Sequence, residues 1–149
     1  MAALSLKSPV GNLVLTEDGG HIVSLAWGKT ADGSAPPVLK KAKRQLEEYF
    51  AGERRTFDLP LDPKGTPYMR RIWRALRRIK WGKTMSYGEL AVLTESTARI
   101  VGQACAKNPV PIIIPCHRVL AKGGALGGYS GGKGVETKCA LLRLEGALL

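Results

Sequence analysis

A thiol, an imidazole and a guanidinium stand side by side at Cys116, His117 and Arg118, inside the otherwise apolar run of residues 108–120. A thiol at its ordinary pKa of about 8.5 is a weak nucleophile at neutral pH, and a neighbouring base or positive charge activates it. His117 supplies the base and Arg118 a positive potential. Neighbours on a strand face opposite ways, so His117 would reach Cys116 there only through a local kink or a bridging water. A catalytic histidine also needs a partner on its other ring nitrogen, and Glu145 is the acid expected to fill that role. Cys105 and Cys139 read as buried, inert thiols. The chemistry leaves two reactions open. Acyl transfer forms a thioester, which water cleaves, so the protein turns over. Alkyl transfer forms a thioether, which water does not cleave, so the protein is consumed.

Other candidate chemistry is weaker. Residues 127–133 fit the phosphate-loop spacing G-x-x-x-x-G-K, but Gly134 follows where magnesium ligation needs Ser or Thr, and no strand runs into the loop. A glycine-rich loop here is better suited to wrapping closely around a flat ligand, with Tyr129 packing on it. Three cysteines without a CxxC pair, and only two histidines, argue against a disulfide framework or a structural zinc site. No metal is expected. Free thiols, the lack of a signal-peptide pattern and the lack of a bilayer-length apolar run suggest a reducing, cytoplasmic setting (nuclear in a eukaryote).

The net charge of +11 over 149 residues favours polyanionic partners. Arg70, Arg71, Arg74, Arg77, Arg78 and Lys80 cluster with no acid among them, which favours nucleic acid over a merely solvated face.

These residues need elements to hold them. Alternating apolar residues predict strands at residues 4–6, 13–16 and 21–27, with a hairpin turn at residues 17–20. Residues 28–37 read as loop, 38–51 as a helix ended by Gly52, and 53–66 as a connection between two lobes. Met69, Ile72, Trp73, Leu76 and Ile79 repeat at helical spacing over residues 66–79. Ser86 and Glu89 form a capping box that opens a helix over residues 87–93. A second helix over residues 97–107 completes a helix-turn-helix. Ile100, Val101 and Ala104 can point inward there. Ala98, Gly102, Cys105 and Ala106 then leave an outer face of small residues, flanked by Arg99 and Gln103, that can approach a groove closely. Residues 110–119 read as a strand, 123–134 as a glycine-rich loop and 135–145 as a last helix, with Gly146 past its end.

Pro115-Cys116-His117-Arg118-Val119, within NPVPIIIPCHRV and followed by GGYSGG, closely resembles the O6-alkylguanine-DNA alkyltransferases, from about Thr66 to Gly146. The resemblance implies an α+β fold. Residues 1–62 would form a small antiparallel sheet plus helix, a ribonuclease H-like lobe, and residues 63–149 a mainly helical, winged-helix-like lobe with the helix-turn-helix. It implies single-use repair of double-stranded DNA carrying O6-alkylguanine, by a monomer that needs no cofactor and has scope for cooperative binding on DNA. Cys116 is then similar to the alkyl acceptor, His117 to the base that works through a water, Glu145 to its orienting acid and Asn108 to the residue that braces the turn. Tyr87 resembles the tyrosine at the flipped nucleotide. Arg99 resembles the arginine that fills the emptied stack.

Val119 and Cys116 carbonyls would read the guanine amino group, with Tyr129, Ser130 and Pro111 about the base. Ala98, Gly102, Gln103 and Cys105 would face the minor groove, which is only about 6 Å wide. The chain departs from relatives in lacking zinc ligands, in lacking the Asn or Gly often found in the turn before Arg99, and in carrying Cys105 on the groove face. A sensor lacking the motif cysteine and a cysteine hydrolase are the rival readings; the presence of Cys116 and of the helix-turn-helix speaks against them.

Overall fold

In the first strands apolar and polar residues alternate, so one face of each must find a cover. The computed structural model, which describes residues 1–30 and 35–148, supplies it. Strands β1 (Ala2–Leu6), β2 (Leu13–Asp18) and β3 (His21–Trp27) form an antiparallel sheet in that order, with a bulge between Thr16 and Glu17. Its buried Leu4, Leu6, Leu13, Leu15, Ile22 and Leu25 meet Leu39, Ala42, Leu46 and Tyr49 of helix α1 (Pro37–Phe50). Of the loop expected over residues 28–37, residues 31–34 lie outside the described residues.

The connection between lobes is pinned at both edges. Pro60 O accepts from Ile22 N at 2.8 Å, and Asp62 N donates to Ile22 O at 2.9 Å, extending the sheet beyond β3. The buried Gln45 side chain pairs with both backbone groups of Asp58. On the same strand, Leu25 N donates to Pro109 O at 2.9 Å, so the sheet edge also holds the segment leading to Cys116.

Helix α2 (Pro67–Leu76) starts at Thr66, whose hydroxyl accepts from Met69 N, with proline at the first helical position where no donor is missed. The helix stops three residues short of the expected Ile79. Its continuation tightens into i→i−3 bonds, Arg78 N to Ala75 O and Ile79 N to Leu76 O. The capping box forms as read: Ser86 and Glu89 exchange bonds of 2.9 and 3.0 Å and open α3 (Tyr87–Leu93). Helix α4 (Ala98–Ala106) is capped by Thr97 and packs on α3 and α2, with Trp73 Nε1 donating to Ala104 O. Between α3 and α4, Glu95 takes the left-handed conformation at φ 55°. Helix α5 (Val135–Leu144) closes the chain, and Gly146 follows at φ 75°.

The expected strand over residues 110–119 is not one. The segment turns compactly, then forms a 3₁₀ turn over Cys116–Arg118, and only Val119–Leu120 is a strand (β5), pairing in parallel with Met85–Ser86 (β4). Pro111 and Pro115 remove ladder donors and fix φ, as Pro109 does just before them. The run is apolar because it is buried on all sides, from Ile112 to Val119.

Candidate active site

Asn108 organises the turn from within: its Nδ2 donates to Ile114 O at 2.8 Å and its Oδ1 accepts from Val110 N at 2.9 Å. Held between them, the buried, β-branched Ile112 sits at φ 73°, a region such residues rarely enter. The chain leaves this turn into the 3₁₀ segment, where successive side chains diverge by about 120°. Cys116 and His117 therefore share no direct hydrogen bond.

Behind the turn lies a buried charge network. His117 Nε2 donates to Glu145 Oε2 at 2.7 Å, which leaves its buried Nδ1 as the acceptor nitrogen, with no partner among the described residues. Burial lowers the imidazole pKa against the pull of Glu145, which favours the neutral base. Arg118 clamps Glu145 through Nε at 2.8 Å and Nη2 at 2.9 Å and donates to Ile79 O. Tyr49 Oη donates to Glu145 Oε2 at 2.5 Å. Burial opposes the charge of Glu145, yet the bonds from His117, Arg118 and Tyr49 prevail and hold its carboxyl at about 2. Arg118 is thus committed to Glu145 rather than to the thiol, correcting the expected role beside Cys116.

The cation near the thiol is Lys138, which sequence reasoning missed. It stands seven residues before Glu145, two helical turns, so one face of α5 carries both groups toward the 3₁₀ turn. That spacing was visible in the sequence, but a lysine in an amphipathic helix reads as solvated. Lys138 Nζ is buried, donates to Val119 O at 2.7 Å and Gly128 O at 3.2 Å, and lies 5.8 Å from the Tyr87 ring centroid. Burial raises the Cys116 pKa, while Asn108 and Lys138 work against that rise.

Cys116 opens into a cavity of about 430 Å³ lined by Tyr87, Gly102, Cys105, Ala106, Gly128, Tyr129 and Ser130. The β4–β5 pairing places Tyr87, the first residue of α3, beside the cysteine. Burial, with the thiols of Cys105 and Cys116, pushes the Tyr87 phenol up to about 12, so it remains a donor. Burial likewise pushes the Cys105 thiol up to about 12, which makes it a poor second nucleophile. Tyr87 and Gly102 also border an open groove of about 830 Å³, together with Ala98, Arg99, Glu89 and Lys122. Gln103 is exposed on the same helix, and Val101 and Ala104 are buried as expected.

Not every expected residue converges. Pro111 does not line the thiol cavity; it bridges to Ile114. Val119 O already accepts from Lys138, and Cys116 O from Val119 N. None of the cations of α2 lines the groove beside α4, because α2 packs behind α4 through Trp73. The glycine-rich loop wraps the protein's own aromatics: a Cβ at Gly131 would lie 2.5 Å from Trp27, and Tyr129 packs edge-on against Trp27 at 6.3 Å.

The fold and site together define a two-lobed α+β protein with a buried thiol–imidazole–carboxylate arrangement opening beside a helix-turn-helix. The family descriptions of 6-O-methylguanine DNA methyltransferase match it, the ribonuclease-like domain over residues 3–63 and the DNA binding domain over residues 67–147. The chain belongs to this family. It is 43% identical to the constitutive methylated-DNA–protein-cysteine methyltransferase of Bacillus subtilis, over 93% of this chain and 92% of the relative. It is 40% identical to the Methanosarcina acetivorans methylated-DNA–protein-cysteine methyltransferase, over 95% and 96% respectively. The solved structure of Mycobacterium tuberculosis OGT in complex with DNA superposes with a TM-score of 0.87 at 40% identity, covering 97% of this chain and 92% of that one.

Proposed function

We propose that the chain repairs DNA by moving the alkyl group of O6-alkylguanine onto its own Cys116, once per molecule. The observation that carries this is the Cys116 thiol lining a cavity with Tyr87 and Tyr129, a cavity that shares Tyr87 and Gly102 with the groove beside α4. The thiol proton passes through a water to His117 Nδ1, whose Nε2–H stays on Glu145. The thiolate sulfur attacks the alkyl carbon, the C–S bond forms, the C–O bond breaks and the electron pair leaves on guanine O6. The Tyr87 phenol, still protonated at neutral pH, donates to the leaving base. The damaged base supplies the alkyl group, so no cofactor takes part.

The alkyl carbon lies within a stacked duplex, so the base must be extruded at a cost on the order of a few kcal/mol, which Arg99 offsets by filling the stack. Small residues Ala98 and Gly102 let α4 enter the minor groove. The reading includes a cytoplasmic monomer with lobes meeting at residues 62 and 63. Among the described residues, no helix is long and apolar enough to cross a membrane.

The test is the intact mass after mixing with duplex DNA carrying one O6-methylguanine. A stoichiometric gain of one methylene unit, mapped to Cys116 and absent in Cys116→Ser, is expected. Binding without mass gain would indicate a sensor, and neither would indicate a hydrolase.

A further inference from the structure

We infer that Tyr49, from the N-terminal lobe, is a positioning residue for alkyl transfer: its phenol holds Glu145 as the carboxylate that orients His117. This rests on the proposed role of His117 as the base. Glu145 Oε2 accepts from three donors, Tyr49 Oη at 2.5 Å, His117 Nε2 at 2.7 Å and Arg118 Nη2 at 2.9 Å, while Oε1 accepts from Arg118 Nε. Of these donors Tyr49 alone comes from the first lobe, 96 residues from Glu145. All four side chains are buried, so each bond acts in a medium that screens it little.

The phenol is itself aimed. The Tyr49 ring is packed by Phe50, Phe57 and Trp81, with centroids at 5.1, 5.4 and 5.4 Å. These ring contacts hold the phenol with its hydroxyl on Glu145 Oε2. Burial and the Glu145 charge raise the Tyr49 pKa well above its ordinary value, so the proton stays on Oη and the phenol donates throughout. Besides Glu145, the charges of Arg118 and of Lys138 on α5 act on His117, both lowering its pKa. Two effects of Tyr49 on His117 follow. The carboxylate cannot swing, so the imidazole stays with Nε2 protonated and Nδ1 free to accept the thiol proton. The phenol also draws charge from Oε2, so the carboxylate stabilises the imidazolium less and the imidazole remains neutral at lower pH. The N-terminal lobe is therefore part of the catalytic apparatus, beyond any role as a scaffold.

The test measures the single-turnover rate of demethylation of duplex DNA carrying O6-methylguanine against pH. It uses the full chain as wild type, Tyr49→Phe and His117→Gln. A further protein carries 3-fluorotyrosine at position 49, a donor of nearly the same shape with a more acidic phenol. Tyr49→Phe should move the acid limb up by roughly half to one pH unit, because a stronger carboxylate partner raises the His117 pKa. Fluorotyrosine should move it down, an outcome that loss of packing cannot produce and that is read even where Tyr49→Phe fails to fold. An unmoved limb in both, with His117→Gln abolishing it, overturns the role of Tyr49 alone. A limb unchanged in His117→Gln overturns the base assignment and this inference with it.

Discussion

The ammonium of Lys138 donates to the carbonyl of Val119 across 2.7 Å, tying α5 to the first residue after the Cys116–Arg118 turn. Its charge also lowers the cost of forming a thiolate at Cys116. Lys138→Met keeps much of the stem volume and removes both functions. The buried carbonyl of Val119 loses its donor, and that of Gly128 loses a part-buried one, so stability falls by about 1–3 kcal/mol. The alkyl-transfer rate at pH 7 should fall at least ~10-fold and recover partly as pH rises, since hydroxide then does what the ammonium did. A rate loss independent of pH would assign Lys138 a purely structural role.

At Gly102, folding and the proposed docking of DNA on α4 can be tested apart. A Cβ built there meets nothing within 4 Å, and the residue borders both the thiol cavity and the open groove. Gly102→Leu should raise thermal stability slightly, because glycine inside a helix costs about 1 kcal/mol. The same change should weaken duplex binding by blocking close approach of α4. Thermal melts and fluorescence anisotropy on one preparation check both signs. Unaltered affinity would move the docking surface away from α4.

Arg99→Ala should weaken binding to damaged duplex more than Arg74→Glu, although the second change removes two charge units' worth of attraction. Arg99 borders the groove and Arg74 does not. Titrations at several salt concentrations check this, since a merely electrostatic contribution shrinks with salt and a stacking one persists. Equal losses that vanish together at high salt would contradict it.

Glu95 holds φ 55° in the turn between α3 and α4. A glutamate pays a steric cost in that region that asparagine largely avoids. Glu95→Asn should stabilise the protein by about 0.5–1 kcal/mol with the alkyl-transfer rate unchanged. Chemical denaturation at pH 7 measures the first and single-turnover kinetics the second.

Acid should unfold the protein in two stages. His117 is buried with its pKa lowered, so its contribution is complete above the ordinary 6.5 and declines as pH falls below that value, where only the unfolded chain takes up the proton. Glu145 is held at about 2 against an ordinary 4.5, so its contribution is complete above 4.5 and is lost as pH falls toward 2. Melting temperature should fall from pH 7 to 5 and more steeply from 4.5 to 3. In Glu145→Gln the second, steep stage should be absent from an already lower baseline. A flat profile in the wild type would show that the network does not couple to stability.

Local rules carried much of the fold. Alternation at residues 13–16 and 21–27, the Ser86–Glu89 capping box and Gly52 and Gly146 past helix ends each act within a few residues, and each forms as read. The strand expected over residues 110–119 did not form, because Pro111 and Pro115 supply no ladder donors and an apolar run bears no mark of how it is buried.

The sequence by itself determined the adjacent Cys116, His117 and Arg118, the helix-turn-helix and its small-residue face, since residue types and short spacings specify these, and it offered Glu145 as the acid for His117. Only the tertiary structure decided which cation serves the thiol, where Arg118 spends its charge and that Tyr49 reaches Glu145 from the other lobe. The physical reason is range. Helix caps and strand alternation are settled by neighbours, but the pKa and orientation of a buried group depend on whatever packs against it, and the bonds of Lys138 to Val119, Arg118 to Glu145 and Tyr49 to Glu145 span 19, 27 and 96 residues of the chain.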